Sequence, residues 1–283
     1  MRHGHHDPTI RFDGQAEVIR ATLTPEGPTT ERLHRVGDEV EVEAWGPGAA
    51  WALEHAPDLV GDRDDPGALV PVHPVLRDLE RRRPGLLLGR SEAAFEALVP
   101  AVLEQKITGS EAGRVWRRMV AAFGEPAPGP PEIVRGLRLP PAPGRLSRLA
   151  YFDLHPMGLE RRRAEVIIRA AGRAGSIEGL GARPPEEART ALETLPGVGP
   201  WTAAEVARSA WGDADAISVG DFHMPNLVAF ALAGEPRADD ARMLELLEPY
   251  RGQRGRVQRL LEVSGVRPPR YGPRLPARSI GGL

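Results

Sequence analysis

The sequence predicts a mostly helical protein, α+β overall, with a smaller β-containing part at the amino terminus. Three observations carry this expectation. Residues 39–45 alternate acidic and apolar, the period of a strand. From residue 91 onward, apolar residues recur at helical spacing. Between two such helical stretches lies LPGVGPWTA, Leu195 to Ala203, a break rich in Pro and Gly.

Taken in order, the opening MRHGHHDPT is polar and reads as a frayed terminus, with His3, His5 and His6 as chance metal ligands at most. Ile10 to Leu23 has weak strand character and stops at Pro25. In Glu39–Trp45, entered by a Gly37-Asp38 turn, Val40, Val42 and Ala44 point one way and the three glutamates the other. Ala49–Ala56 predicts a short helix. Gly61–Pro71 predicts a polar loop at a domain edge. Ser91 is the expected cap of a helix carrying Ala94, Phe95, Leu98, Val102 and Leu103. Ser110 is the expected cap of the next, carrying Val115, Met119 and Phe123. Glu125–Pro131 must be a loop. Further helices are expected near 157–174, 185–194, 200–211, 221–233, 239–248 and 254–264, followed by a Pro- and Arg-rich tail.

Composition narrows the function. At 283 residues, with 41% hydrophobic and 27% charged residues, the chain is long enough for a sizeable core. No apolar run spans a bilayer and no signal-peptide segment follows Met1, so a cytoplasmic location without membrane contact is expected. Cysteine is absent, which excludes disulfides, thiol catalysis, cysteine-ligated zinc and a cysteine-ligated iron–sulfur cluster. The net charge of −2 does not advertise nucleic acid, so any such contact must be local. Lys106 is the only lysine and therefore the only side chain able to form a lysine Schiff base.

The hairpin carries the chemistry. Pro196 and Gly197 end one helix, Gly199 can take positive φ or admit another backbone, and Pro200 suits the first turn of the next helix. The unpaired N–H groups of that helix start suit a phosphate without a lysine. From spacing alone, an ordinary helical hairpin turn is the favoured reading. The next informative string is SVGDFHMPN, Ser218 to Asn226, in which Asp221 follows a Gly-containing loop and precedes an apolar helix. Asp221 reads as a helix cap, a position that also holds a carboxylate rigidly at a cleft mouth.

The hairpin followed about twenty residues later by an Asp resembles the helix-hairpin-helix DNA glycosylases, and among them the AlkA-type DNA-3-methyladenine glycosylases. FEALVPAVLEQKITGSEA, Phe95 to Ala112, resembles the family's helix and DNA-inserting loop, and GLERRRAEVI, Gly158 to Ile167, a helix before the hairpin. The resemblance implies an amino-terminal α/β domain over 1–70, a helix-hairpin-helix glycosylase region of two helical lobes over 71–270, and a tail over 271–283. It implies a monomer, nucleoid-associated, acting on double-stranded DNA that contains damaged bases. By position, Asp221 would be catalytic, and Trp201 and Phe222 would line the base pocket. Gln105, Lys106, Pro196, Gly197, Val198, Gly199 and Thr202 would meet DNA. The backbone carbonyls of Leu195 and Val198 would hold K⁺ or Na⁺.

A cationic alkylated purine is already an activated leaving group, so one carboxylate suffices where ordinary glycosidases need two. An electron-rich aromatic such as Trp201 suits such a base, although core packing is the plainer account of a tryptophan and is the one expected for Trp116 and Trp211. In relatives with lyase activity a lysine stands at the Trp201 position, so a monofunctional enzyme is implied. Two positions depart from the pattern. Lys106 replaces an apolar or glutamine wedge, and Glu205 replaces an aromatic of one well-known member. Specificity for deaminated or oxidised bases, and a non-catalytic DNA-binding protein, are the alternatives.

Overall fold

Four strands form an antiparallel meander, β1 (Ile10–Asp13), β2 (Glu17–Thr24), β3 (Gly27–Val36) and β4 (Glu39–Trp45), in the order of the sequence. The computed structural model describes residue 3 and residues 6–14, 16–84 and 86–269, so His5 and the expected tail over 271–283 lie outside the described residues. The single weak strand expected over Ile10–Leu23 is a hairpin of β1 and β2, because the chain reverses at Gly14, φ 65°. β3 escaped the sequence pattern because its buried residues are polar: Thr29, Thr30 and Glu31. β4 is an edge strand, and Val40 is exposed rather than facing inward with the half-buried Val42 and Ala44. One sheet face lays Ile19, Ala21 and Leu23 on Ala127, Leu137 and Leu139.

The opening segment is not frayed where it is described. Buried Asp7 accepts from the His3 and Thr9 N–H groups, the Thr9 hydroxyl and the Trp116 Nε1–H. Among the described residues no group of His, Asp and Glu is arranged to hold a metal ion. None of their helices is long and apolar enough to cross a membrane.

Helix α1 (Ala49–Val60) runs one turn beyond its expected end and stops at Gly61, φ 95°. The polar 61–71 loop contains a short 3₁₀ turn, Pro66–Ala68, and an internal anchor: Asp64 pairs with buried Arg256 and accepts from the Leu88 N–H at 2.8 Å. Helix α2 (Pro74–Arg82) was not expected, since only Leu76 and Leu79 among charged neighbours face inward.

Helix α3 (Ala94–Glu104) is almost wholly buried. Ser91 does not cap it. Its first N–H groups, of Ala94 and Phe95, donate instead to the Glu178 carboxylate at 2.8 and 2.9 Å. Desolvation pushes that carboxyl up to about 6, against the pull of the same two hydrogen bonds. Helix α4 (Gly109–Phe123) is capped by Thr108 rather than Ser110, because Thr108 and Glu111 form a reciprocal capping box.

Three single turns, α5 (Pro131–Val134), α6 (Pro143–Leu146) and α7 (Tyr151–Leu154), lead to α8 (Arg161–Ala171) and α9 (Ala174–Glu178). The long helix expected over 157–174 is shorter because Gly158 takes φ 93° before it. Helices α10 (Pro185–Glu193), α11 (Pro200–Ala210), α12 (Met224–Ala233), α13 (Asp240–Leu247) and α14 (Arg254–Val263) complete the chain, close to their expected spans.

Two helical cores result. The larger joins α3, α4, α8, α10 and α11, with Trp116 and Trp211 inside it as expected. The smaller joins Leu76 and Leu79 of α2 to Val228, Met243, Leu247, Val257 and Leu261. The hairpin belongs to the first and α12 to the second, so the α11–α12 connection passes from one core to the other.

Candidate active site

The hairpin between α10 and α11 is shaped by Gly197, not Gly199. Gly197 has φ 93°, and a Cβ there would meet Val166 Cγ2 of α8 at 2.3 Å. Gly199 is extended, φ −113° and ψ −178°, and a Cβ on it would meet nothing within 4 Å. The expectation of positive φ at Gly199 therefore passes to Gly197, because the close packing on α8 lies there. Gly199 presents open backbone at the start of α11, where the early N–H groups have no intrahelical partner.

The first three carbonyls of the hairpin are engaged in turn. Leu195 O accepts from the Val198 N–H at 2.9 Å. Pro196 O accepts from Arg169 at 3.3 Å, and Gly197 O from Gln105 Nε2 at 3.0 Å. The Val198 carbonyl receives no hydrogen bond among the described residues, although the residue itself is buried.

Gln105 sits at the end of α3 and also donates to Thr202 Oγ1 at 2.9 Å. The α3–α4 loop is thus tied to the hairpin and to the first turn of α11 by one side chain. Buried Arg163 of α8 steadies the same loop by donating to Leu103 O at 2.7 Å. Lys106 follows Gln105, exposed and left-handed at φ 58°. That conformation is uncommon for a residue with a Cβ.

Asp221 precedes α12, three residues before its first residue. Its Oδ1 accepts from the His223 and Met224 N–H groups at 2.7 and 2.8 Å, so it does the work of a helix cap. Its Oδ2 accepts from Trp201 Nε1 at 3.1 Å. Trp201 is half-buried in the first turn of α11. Phe222 is 80% exposed and packs edge-on to the His223 ring, 4.9 Å away.

The structure thus joins Gln105, Gly197, Thr202, Trp201 and Asp221 through direct contacts across three segments of chain. Lys106, Pro196 and Gly199 flank them at the surface, and Phe222 stands outward. Sequence reasoning missed Arg169, an exposed cation on α8 held against the hairpin. Arg169 stands outside the basic run 161–163, and its one-turn spacing from Glu165 reads as a solvated face.

No family model matches the sequence. The chain is 30% identical over 182 residues to DNA-3-methyladenine glycosylase 2 of Escherichia coli (strain K12), a match covering 64% of this chain and 62% of that protein. It therefore spans less than two thirds of that relative's length. The 3-methyladenine DNA-glycosylase structure from Archaeoglobus fulgidus superposes with a TM-score of 0.75 at 22% identity, over 90% of this chain and 89% of that one. An 8-oxoguanine glycosylase/lyase from Clostridium acetobutylicum, solved with double-stranded DNA containing cytosine opposite 8-oxoguanine, superposes with a TM-score of 0.69 at 14% identity, over 90% and 86% of the two chains. The fold is that of the helix-hairpin-helix glycosylases, and the sequence is similar to their AlkA type.

Proposed function

We propose that this chain, with the fold of the helix-hairpin-helix glycosylases and a sequence similar to their AlkA type, is a monofunctional DNA glycosylase acting on alkylated purines in double-stranded DNA. The observation that carries the reading is the carboxylate of Asp221, bonded to the tryptophan that follows the hairpin. A phosphate-binding hairpin alone has no need of an acid beside it.

The target nucleotide leaves the stack at a cost of a few kcal/mol and comes to lie beside Trp201 and Asp221. The open backbone at Gly199 and the early N–H groups of α11 receive a phosphate near the lesion, which fixes register without reading sequence. As the glycosidic bond breaks, positive charge develops on the sugar. Asp221 stabilises it and orients the attacking water. Its three N–H donors fix the carboxylate in place, so little reorganisation accompanies the reaction.

The carbonyls of Leu195 and Val198 are suited to K⁺ or Na⁺, since the second has no competing donor among the described residues. Such an ion would supply positive charge next to the bound phosphate. Lys106 stands beside the hairpin-bound Gln105, where its stem can fill the gap left by the flipped base and its ammonium can reach a phosphate. The aromatic Trp201 and the absence of any lysine other than Lys106 support hydrolysis without strand cleavage.

The test is a panel of duplexes each carrying one lesion: 3-methyladenine, 7-methylguanine, hypoxanthine or 8-oxoguanine. Release of the methylated bases, with the strand left uncut and no adduct after borohydride reduction, is the expected result. Release of a neutral lesion alone would sink the alkylpurine reading.

A further inference from the structure

The loop that delivers Asp221 is held by side chains from α11, α13 and α14. Ser218 is buried, and its hydroxyl donates to Glu205 Oε1 of α11 at 2.8 Å. Its N–H donates to Gln258 Oε1 of α14 at 3.1 Å. Its carbonyl accepts from the Asp221 N–H at 3.2 Å, so Ser218 and Asp221 close one turn. The intervening Gly220 N–H donates to both Asp240 oxygens of α13 at 3.1 Å.

Glu205 is the centre of this arrangement. It lies one helical turn after Trp201 on the same face of α11. Arg208, a further turn along, grips both Glu205 oxygens at 2.7 and 2.6 Å and reaches Glu262 of α14 at 3.2 Å. Desolvation pushes the Glu205 carboxyl up, against the opposing Arg208 charge and the Ser218 hydroxyl. The half-buried carboxylate thus carries a desolvation cost that Arg208 and the Ser218 hydroxyl offset.

We propose that Glu205 and Ser218 are positioning residues, whose hydrogen bond between α11 and the Asp221 loop sets the height of Asp221 against Trp201. One end of α11 thereby fixes the aspartate twice: directly through Trp201 and indirectly through Glu205 and Ser218. The first attachment is at the carboxylate itself and the second three residues before it, so losing the second loosens the loop ahead of Asp221 while the Trp201, His223 and Met224 bonds to the carboxylate remain. The inference rests on the glycosylase reading for its kinetic consequence, but its geometric content does not.

Ser218→Ala tests it, because it removes the bond to Glu205 and leaves the Glu205–Arg208 pair intact. Four quantities are measured on the full chain: single-turnover release of methylated purine, affinity for a duplex bearing a tetrahydrofuran abasic analogue, melting temperature, and solvent exchange of the Trp201 indole N–H, assigned with Trp201→Phe. The expected result is about tenfold slower release, affinity within about twofold, an almost unchanged melting temperature and faster indole exchange. Ser218→Cys, which keeps a weak donor of similar size, is expected to recover part of the rate. Unchanged release, or a loss matched by equal losses of affinity and melting temperature, would overturn the proposal. If the unaltered protein releases none of the lesions, the glycosylase reading fails, and indole exchange decides the positioning question alone: faster exchange in Ser218→Ala supports it and equal exchange refutes it.

Discussion

Trp201 Nε1 and Asp221 Oδ2 lie 3.1 Å apart, a hydrogen bond that links the first turn after the hairpin to the start of the second helical core. The aromatic proposed to face the base is thus also a donor to the proposed catalytic carboxylate. Asp221→Asn is expected to slow base release by roughly 10²–10³-fold, the loss seen when one preorganised electrostatic group is removed. Folding and duplex affinity should persist. Near-normal single-turnover release by this variant would remove Asp221 from the reaction. Trp201→Phe keeps an aromatic ring and loses the donor, with release expected to fall about tenfold.

The two hairpin glycines should separate stability from binding. Gly197→Ala is expected to cost at least about 2 kcal/mol, from positive φ and overpacking on Val166. Gly199→Val should melt within a few degrees of the parent yet bind undamaged duplex poorly, because the added side chain occupies open space at the start of α11. Calorimetry and a duplex titration read the two effects. Equal duplex affinity in a folded Gly199→Val protein would take the hairpin off the DNA surface.

Lys106→Ala should weaken duplex binding, slow base release and lower the salt slope of log K by about 1, as expected for one lost phosphate contact. The left-handed backbone at Lys106 is no better suited to Ala, so stability should not change. Lys106→Gly, which relieves that conformation, is expected to stabilise the protein by about 1 kcal/mol. A borohydride-trapped adduct formed by the parent and lost in Lys106→Ala would instead identify a lyase amine.

Glu178 gives the α3 cap a pH dependence of defined sign. Its carboxyl is raised from 4.5 to about 6 in the folded protein, chiefly by desolvation. The folded state therefore holds that proton more tightly than the unfolded chain. The stabilisation is fully present below 4.5 and is lost as pH rises through about 6. Thermal unfolding between pH 4 and 7 should show a decline that Glu178→Gln flattens. Parallel profiles for the two proteins would contradict the assignment.

Much of the site was legible because its signals are local. Pro and Gly punctuate the hairpin, and Asp221 stands just before an apolar helix, so both announce themselves within a few residues. Thr108 was legible too, since Thr108-x-x-Glu111 is a capping box, yet Ser110 drew the expectation as the nearer serine. What escaped depends on distant partners. Nothing near Ala94 reveals that Glu178 caps α3, and nothing near Gly197 distinguishes it from Gly199 until Val166 is beneath it. β3 escaped for a different reason: Thr29, Thr30 and Glu31 are buried polar residues, and period-two hydrophobicity cannot register them.

The smaller helical core, which pairs α2 with α12, α13 and α14, also has a consequence in time. Leu76 and Leu79 leave the ribosome long before Val257 and Leu261 are made. Domains generally fold as units, and contacts between distant segments form late. α2 must wait, its apolar side uncovered, while the larger core between its partners assembles. The lobe that carries Asp221 therefore closes last. A chain ending anywhere before α14 would keep its hairpin but lack the support that aims the carboxylate.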